Sequence, residues 1–376
     1  MTVSSQNPFE QHLHLERIPR QHPENLKAWN AADELLVDYV EQKIPTVLTL
    51  ALFNDDFGAL SCALGEYQQH WYSDSWLAHQ ALSSNREANH LSPVVAQNTM
   101  RLAQSADVWL VKVPKTLAHL EHQLALISQY ASPDQPIILA GMVKFLSRGV
   151  FALIEQYFGP LTTSLAKKKA RLIFTRAQKP SSVSPYPKRW SAAPYPWQLE
   201  DHANVFCLGK LDIGSRFLIE NLPDGNYSNI IDLGCGNGLL SLAALSKWPD
   251  AHLLACDESF MAVESTRTNL LTNSPDVAKQ INVMADNGLG KQPDQCADLI
   301  LCNPPFHQQQ TIATHIARHM FFDAKRCLRA EGELCIVANR HLPYLPLLKK
   351  IFGQVKILAS NRKFVILIAK KYHSRG

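Results

Sequence analysis

The stretch DLILCNPPFHQQ, residues 298–309, ends an apolar strand-like run on an asparagine, two prolines and an aromatic ring. Proline fixes φ, offers no N–H, and drives the residue before it into extended geometry. In Asn303-Pro304-Pro305-Phe306 the asparagine side-chain oxygen and the Asn303–Pro304 backbone carbonyls can therefore be held toward one point. Two converging acceptors suit a planar NH2 group, and Phe306 can stack on the ring that carries it. The lone pair of such an amine is delocalised into its ring. Acceptors on both N–H groups favour a more tetrahedral nitrogen and expose that lone pair to an electrophile. This is stabilisation of a transition state, with no covalent enzyme intermediate.

A second constellation lies upstream. IIDLGCGNG (230–238) sets Gly234, Gly236 and Gly238 between a strand and a helix, with Asp232 just before them. Such glycines let backbone approach a ligand, and the helix N-terminus offers N–H groups to a carboxylate or phosphate. The pattern differs from G-x-G-x-x-G, and dinucleotide sites use a similar device, so the turn alone is a modest signal. Asp257 ends the next strand, where an acid can accept from both hydroxyls of a ribose. Asp286 and Asn287 end the third, placed to meet an adenine amino group. One acid at a strand end is ordinarily a helix cap. Three at consecutive strand ends beside a glycine turn point to a ligand.

These residues need a parallel sheet to bring them together. Strand-like NIIDLG (229–234), HLLACD (252–257), INVMAD (281–286), ADLILCN (297–303) and ELCIVAN (333–339) alternate with helical LLSLAALSKW (239–248), SFMAVESTRTNLL (259–271) and IARHMFFDAKRCL (316–328). Ser259 is suited to be an N-cap. Such alternation predicts a sheet covered on both faces, with ligands beyond the carboxyl ends of its strands. QVKILAS (354–360) and KFVILIA (363–369) then read as a hairpin whose last strand runs antiparallel.

The first half repeats this pattern in weakened form. NDDFGALSCAL (54–64) resembles GNGLLSLAAL (236–245), with Gly58 opposite Gly238. Asp74 is set opposite Asp257, Asp107 opposite Asp298, and PIILAGM (136–142) opposite ELCIVAN. ALFND stands for DLGCG and VKVPK for CNPPF, so one fold is expected twice, with the motif residues lost from the first copy. AQKPSSVSPYPKRWSAAPYPW (177–197), rich in Pro and Ser, reads as the connection. The expected division is a degenerate domain at 1–180, a linker at 181–200 and a catalytic domain at 201–376.

Composition bounds the rest. With 376 residues, 46% hydrophobic and 19% charged, the chain is long enough for two globular cores. Its N-terminus has no apolar signal-peptide core, and TVLTLALF (46–53) and FVILIA (364–369) are too short to cross a bilayer. Eight cysteines form no C-x-x-C pair, which argues against a zinc site or a disulfide framework and for a reducing, cytoplasmic location. A net charge of +4 is unevenly placed: residues 340–376 hold nine Lys or Arg and no acid, and residues 167–189 hold eight and no acid. A polyanionic partner fits this distribution; so do solvated faces that look basic only in one dimension.

Taken together, DLGCGNG, Asp257 and NPPF resemble the class I S-adenosylmethionine-dependent methyltransferases that act on exocyclic amines. HANVFCLGKLDIGSRFL, NPPFHQQ and VANRHLPY resemble, more narrowly, the bacterial ribosomal RNA guanine-N2 methyltransferases, over nearly the whole chain. Within that family AADELL, NDDFGALSCAL and VANRHLPYLPLLKKIFG favour the large-subunit (23S) branch over the small-subunit (16S) one. The resemblance implies two tandem Rossmann-like domains, the second with a seven-stranded, mostly parallel sheet. It places Asp232, Gly234 and Gly236 at the methionine end of S-adenosylmethionine, Asp257 at the ribose, and Asp286 or Asn287 at the adenine. Asn303 and Pro304 would hold the guanine N2 amine and Phe306 would stack on the base, with no metal involved. Phe206 and Leu211-Asp212 match a segment that closes over the cofactor. The first half would bind RNA and no cofactor, and the substrate would be 23S rRNA, free or partly assembled. His307 is not needed as a base, since the amine loses its proton after transfer and water suffices; Cys235 and Cys302 read as small apolar fillers. The competing readings are a 16S enzyme, a methyltransferase of adenine N6 or glutamine, and a non-catalytic RNA-binding assembly factor.

Overall fold

The computed structural model describes residues 8–19, 26–102, 104–305 and 310–372. The chain forms two compact units, residues 1–186 and 187–376. The first holds strands β1 (Thr49–Phe53), β2 (Gln68–Tyr72), β3 (Ala96–Gln97), β4 (Val108–Lys112), β5 (Pro136–Met142), β6 (Thr162–Thr163) and β7 (Ala170–Arg176). Its helices are α1 (Pro8–Gln11), α2 (Ala31–Lys43), α3 (Ala59–Ala63), α4 (Trp76–Ala88), α5 (Leu117–Tyr130) and α6 (Arg148–Phe158). The second unit opens with a hairpin of β8 (Lys188–Ser191) and β9 (Gln198–Asp201), so part of the stretch read as linker is paired strand. It continues with β10 (Asn229–Leu233), β11 (His252–Asp257), β12 (Ile281–Ala285), β13 (Ala297–Cys302), β14 (Leu328–Asn339), β15 (Val355–Ser360) and β16 (Phe364–Lys370). Its helices are α7 (Ile213–Ile219), α8 (Leu239–Lys247), α9 (Phe260–Asn273), α10 (Gln310–Cys327) and α11 (Tyr344–Phe352).

Both sheets have seven strands in the same order, β3-β2-β1-β4-β5-β7-β6 and β12-β11-β10-β13-β14-β16-β15. Five strands of each are parallel, and β7 and β16 run antiparallel to their neighbours. The strands are apolar on both faces because helices cover both. Leu299 and Leu301 of β13 pack with Leu218 of α7 and Leu240 of α8, whereas Ile300 and Cys302 pack with Phe321 of α10 and Leu348 of α11.

The register corrects the alignment of the two halves. Phe53 pairs Tyr72, and Leu233 pairs Cys256, so the counterpart of Asp257 is Ser73, not Asp74. Ser73 Oγ accepts from the N–H of Ser75 at 3.2 Å, as Asp257 Oδ1 accepts from that of Ser259 at 3.0 Å. Ser75 and Ser259 then cap α4 and α9 identically. The same register shifts the glycine turn by one residue, setting FNDDFG opposite LGCGNG. Asp107 and Asp298 do correspond: each carboxylate accepts the N–H that starts the first strand, Thr49 or Asn229, at 2.8 Å.

Candidate active site

In the second unit Leu233 lies beside both Cys256 and Cys302, and Asp257 beside Ala285. Gly234, Asp257, Asp286 and Asn303 therefore stand at neighbouring strand ends, around the point where chain order reverses between β10 and β13. Gly238 starts α8 at φ 82°, and a Cβ there would lie 3.2 Å from Cα of Thr266 in α9, so the glycine permits close helix packing. Gly236 differs: at φ 57° it has nothing within 4 Å of its Cβ position, leaving open space beside the turn.

The carboxylates divide into distinct roles. Asp232 is fully buried; its Oδ2 accepts from Ser241 Oγ at 2.6 Å, and its Oδ1 has no hydrogen-bond partner among the described residues. Burial, reinforced by the charge of Asp257, raises its pKa to about 7. Asp257 is half-buried, and burial lifts its carboxyl above the ordinary range while backbone N–H groups oppose the rise. Its oxygens accept from Gly236 N–H and Ser259 N–H, both at 3.0 Å. Asp286 is 2% exposed and accepts from the N–H groups of Asn287 and Lys291, so it shapes the turn that leaves Asn287 half-exposed.

Asn303 is fixed from outside its own strand. Its Nδ2 donates to Asp212 Oδ2 at 3.0 Å and to Ser215 Oγ at 2.9 Å. A carboxylate only accepts, so the amide must present its NH2 there and its oxygen on the other side. That Oδ1 is buried and without a partner among the described residues. Asp212 also caps α7 through the Ser215 N–H at 2.7 Å, which locks the anchor to the helix. Pro304 is buried, and Pro305 O accepts from Tyr344 OH at 3.4 Å. Phe306 and His307 lie outside the described residues. Phe206 is half-exposed, and Leu211 packs against the core of the α7–α9 face. Burial pushes the thiols of Cys235 and Cys302 well above their usual range, which suits fillers rather than nucleophiles.

Residues 196–368 match the family model described as the methyltransferase small domain, and residues 4–179 match the RLMG N-terminal domain. The chain is 46% identical, over 92% of its own length and 93% of the relative's, to a ribosomal RNA large subunit methyltransferase G of Pseudoalteromonas atlantica. The protein of that name from Erwinia tasmaniensis is 44% identical over 96% and 97% of the two chains. The chain belongs to the ribosomal RNA large subunit methyltransferase G family. A T. thermophilus 16S rRNA N2 methyltransferase, solved with AdoMet and guanosine, shares the fold at TM-score 0.74, with 21% identity and coverage of 90% of this chain and 92% of that one.

Family membership throws the first unit's strand ends into relief. Asn54, Asp55 and Asp56 replace the glycine turn, and Lys112 stands where Asn303 does. Lys112 Nζ pairs with buried Asp33 at 2.9 Å and with Asp56 at 3.4 Å. Asn54 Nδ2 donates to Lys112 O and Gln123 Oε1, Gln123 contacts His119, and His119 contacts Thr99. Side chains of the unit thus bond to one another across the strand ends that hold acceptors in the second unit.

The two basic stretches also differ in space. Lys167, Lys168, Arg176 and Arg189 pair with Asp38, Glu34, Asp134 and Glu200. From residue 340 on, Lys370 pairs with Glu331, while Arg340, Lys349, Lys350, Lys356, Arg362 and Lys363 are exposed. The C-terminal stretch therefore keeps more of its charge for a partner.

Among the described residues no group of three or more His, Cys, Asp or Glu could hold a metal ion, and no helix is long and apolar enough to cross a membrane. Sequence reading missed Ser215 and the clamp on Asn237, whose Nδ2 donates to Asp201 Oδ1 at 3.2 Å and whose carbonyl accepts from Asn269 at 2.9 Å. The signal was faint: a D-x-x-S capping pattern for Ser215.

Proposed function

We propose that the second unit transfers a methyl group from S-adenosylmethionine to the exocyclic N2 of one guanine in 23S rRNA, giving N2-methylguanosine. The observation that carries this reading is Asn303: its NH2 face is held by Asp212 and Ser215, and its Oδ1 is buried with no partner among the described residues. An acceptor so held is matched to an amine. The strand ends fit the cofactor as well, through the open side of Gly236 and Oδ1 of Asp232, which has no partner among the described residues. Asp232, Gly234 and Gly236 would hold its methionine end, Asp257 its ribose, and Asp286 or Asn287 its adenine. Bound there, S-adenosylmethionine supplies an electrophilic methyl on a sulfonium. Asn303 Oδ1 and the carbonyl preceding Pro304 draw on the two N–H groups of the amine and localise its lone pair, and Phe306 stacks on the base. The resulting proton leaves to water.

Guanine N2 lies in the minor groove of a duplex, where its lone pair is conjugated and stacked. The target is therefore flipped out or unpaired, in rRNA that is free or partly assembled in the cytoplasm. The first unit and the exposed cations of residues 340–363 would recruit the RNA. This division of labour gives a binding domain at 1–180, a connection at 181–200 and a catalytic domain at 201–376.

The test is label transfer from S-adenosylmethionine to protein-free 23S and 16S rRNA, with Asn303→Ala in parallel. N2-methylguanosine in 23S alone, reduced at least about a hundredfold in the variant, is the expected result. Label in 16S would move the protein to the small-subunit branch. No label in either RNA, with cofactor bound, would favour a binding role.

A further inference from the structure

Asn339 ends β14, the strand next to the one that carries Asn303. Its side chain is more than nine-tenths buried, at 8% exposure, and its Oδ1 has no hydrogen-bond partner among the described residues. Cys335 and Val337 of β14 pack into the same core face as Leu299 and Leu301 of β13. Strand alternation puts Asn339 and Asn303 on that face too. Cys302 is level with Ile336, so Asn339 sits two residues beyond the level of Asn303, roughly 7 Å further along the strand direction. The start of α7 borders both. Asp212 holds Asn303, and a Cβ on Gly214 would lie 3.1 Å from Asp212 Oδ2 and 3.5 Å from the ring of Phe364, the cross-strand partner of Asn339.

Buried polar side chains nearly always find a partner, and an unmet acceptor is costly. Two amide oxygens unmet among the described residues, on one face at neighbouring strand ends, call for a ligand with two donors side by side. Among the bases, guanine offers this pairing of an exocyclic amine with a ring N–H, at N2 and N1. Adenine and cytosine place a lone pair beside their amine, and uracil has no amine.

We propose that Asn339 is the second acceptor of the target-base site and reads the N1–H of guanine while Asn303 takes N2. The proposal rests on the reading of the second unit as a guanine-N2 methyltransferase. Asn303 alone would accept any exocyclic amine; Asn339 turns that acceptor into a guanine site by setting an oxygen against the N1 lone pair of adenine.

The test begins by mapping the guanine that the wild-type enzyme labels in protein-free 23S rRNA. That nucleotide is then replaced, by ligation, with 2-aminopurine, which keeps the amine but carries a lone pair in place of N1–H. Wild type, Asn339→Ala and Asn339→Asp are compared on both RNAs for kcat/KM, with S-adenosylhomocysteine binding as the check on the cofactor site. Wild type should lose about tenfold or more on the 2-aminopurine RNA. Asn339→Ala should lose about tenfold or more on the guanine RNA and with it the preference between the two, cofactor binding being unchanged. Asn339→Asp, which keeps an acceptor, should retain the preference. Equal rates of the wild type on both RNAs, or a full preference surviving in Asn339→Ala, overturn the proposal and leave the methyltransferase reading standing. A wild-type enzyme that labels no rRNA overturns both.

Discussion

Replacing Asp232 by Asn tests the most unusual electrostatic feature of the site. The carboxyl is fully buried, and its pKa is raised from 3.8 to about 7. At about 1.4 kcal/mol per pKa unit, that displacement is worth roughly 4 kcal/mol against the ionised form in the ligand-free protein. Since the folded-state value lies above the unfolded one, the protonated group favours folding. That advantage is complete below the unfolded pKa and is lost as pH rises toward about 7. An amide does not titrate. Asp232→Asn should therefore gain roughly 2–3 kcal/mol relative to wild type between pH 5 and 8, read by denaturant unfolding. Cofactor binding should move the other way. On the proposed assignment the α-ammonium of the methionine end pairs with an ionised Asp232, and binding then requires that carboxyl to lose its proton. Calorimetric titration with S-adenosylhomocysteine should give an affinity roughly 20-fold weaker at pH 5.5 than at 7.5 in the wild type. The variant should bind weakly throughout, keeping only the dependence contributed by Asp257, whose carboxyl burial also raises. A wild-type affinity flat across this range, or a variant with the wild-type slope, would refute the assignment of Asp232 to the ammonium.

Further outcomes follow from the anchors. Asp212→Ala removes the α7 cap, at about 1 kcal/mol of stability, and frees the Asn303 amide; kcat should fall about tenfold or more. Ser215→Ala removes one neutral hydrogen bond to the same amide and should cost only several-fold; a wild-type kcat in Asp212→Ala would sink this account of Asn303. In the first unit, Lys112→Met strips buried Asp33 of its cation, and the chain should lose roughly 3–5 kcal/mol in denaturant unfolding. Adding Asp33→Asn should restore most of that loss, and a Lys112→Met variant as stable as wild type would mean that the pair offsets no buried charge.

Much of the architecture was legible in the sequence because it rests on local physics. Apolar runs of five to seven residues ending in glycine, acid or asparagine mark β10, β11 and β13, and Ser259 caps α9 through a pattern confined to four residues. The hairpin of β15 and β16 follows from two apolar runs around Asn361-Arg362. The comparison of halves found the duplication but misjudged it by a residue at Asp74, because only pairing register distinguishes Ser73 from its neighbour.

By itself, then, the sequence determined which residues end the parallel strands, and hence that Gly234, Asp257, Asp286 and Asn303 would meet at one rim. Period and turn chemistry are properties of a few adjacent residues, and they survive being read in one dimension. The tertiary structure alone decided what each polar atom does there. The side to which Asn303 turns its oxygen is set by Asp212, 91 residues away, and Lys167 and Lys168, in an acid-free stretch, pair with Asp38 and Glu34 from α2. Asn339 stands out only once its strand lies beside β13 and its oxygen lacks a partner among the described residues. Burial and hydrogen-bond satisfaction depend on which distant segments the packing brings together, and no local pattern encodes them.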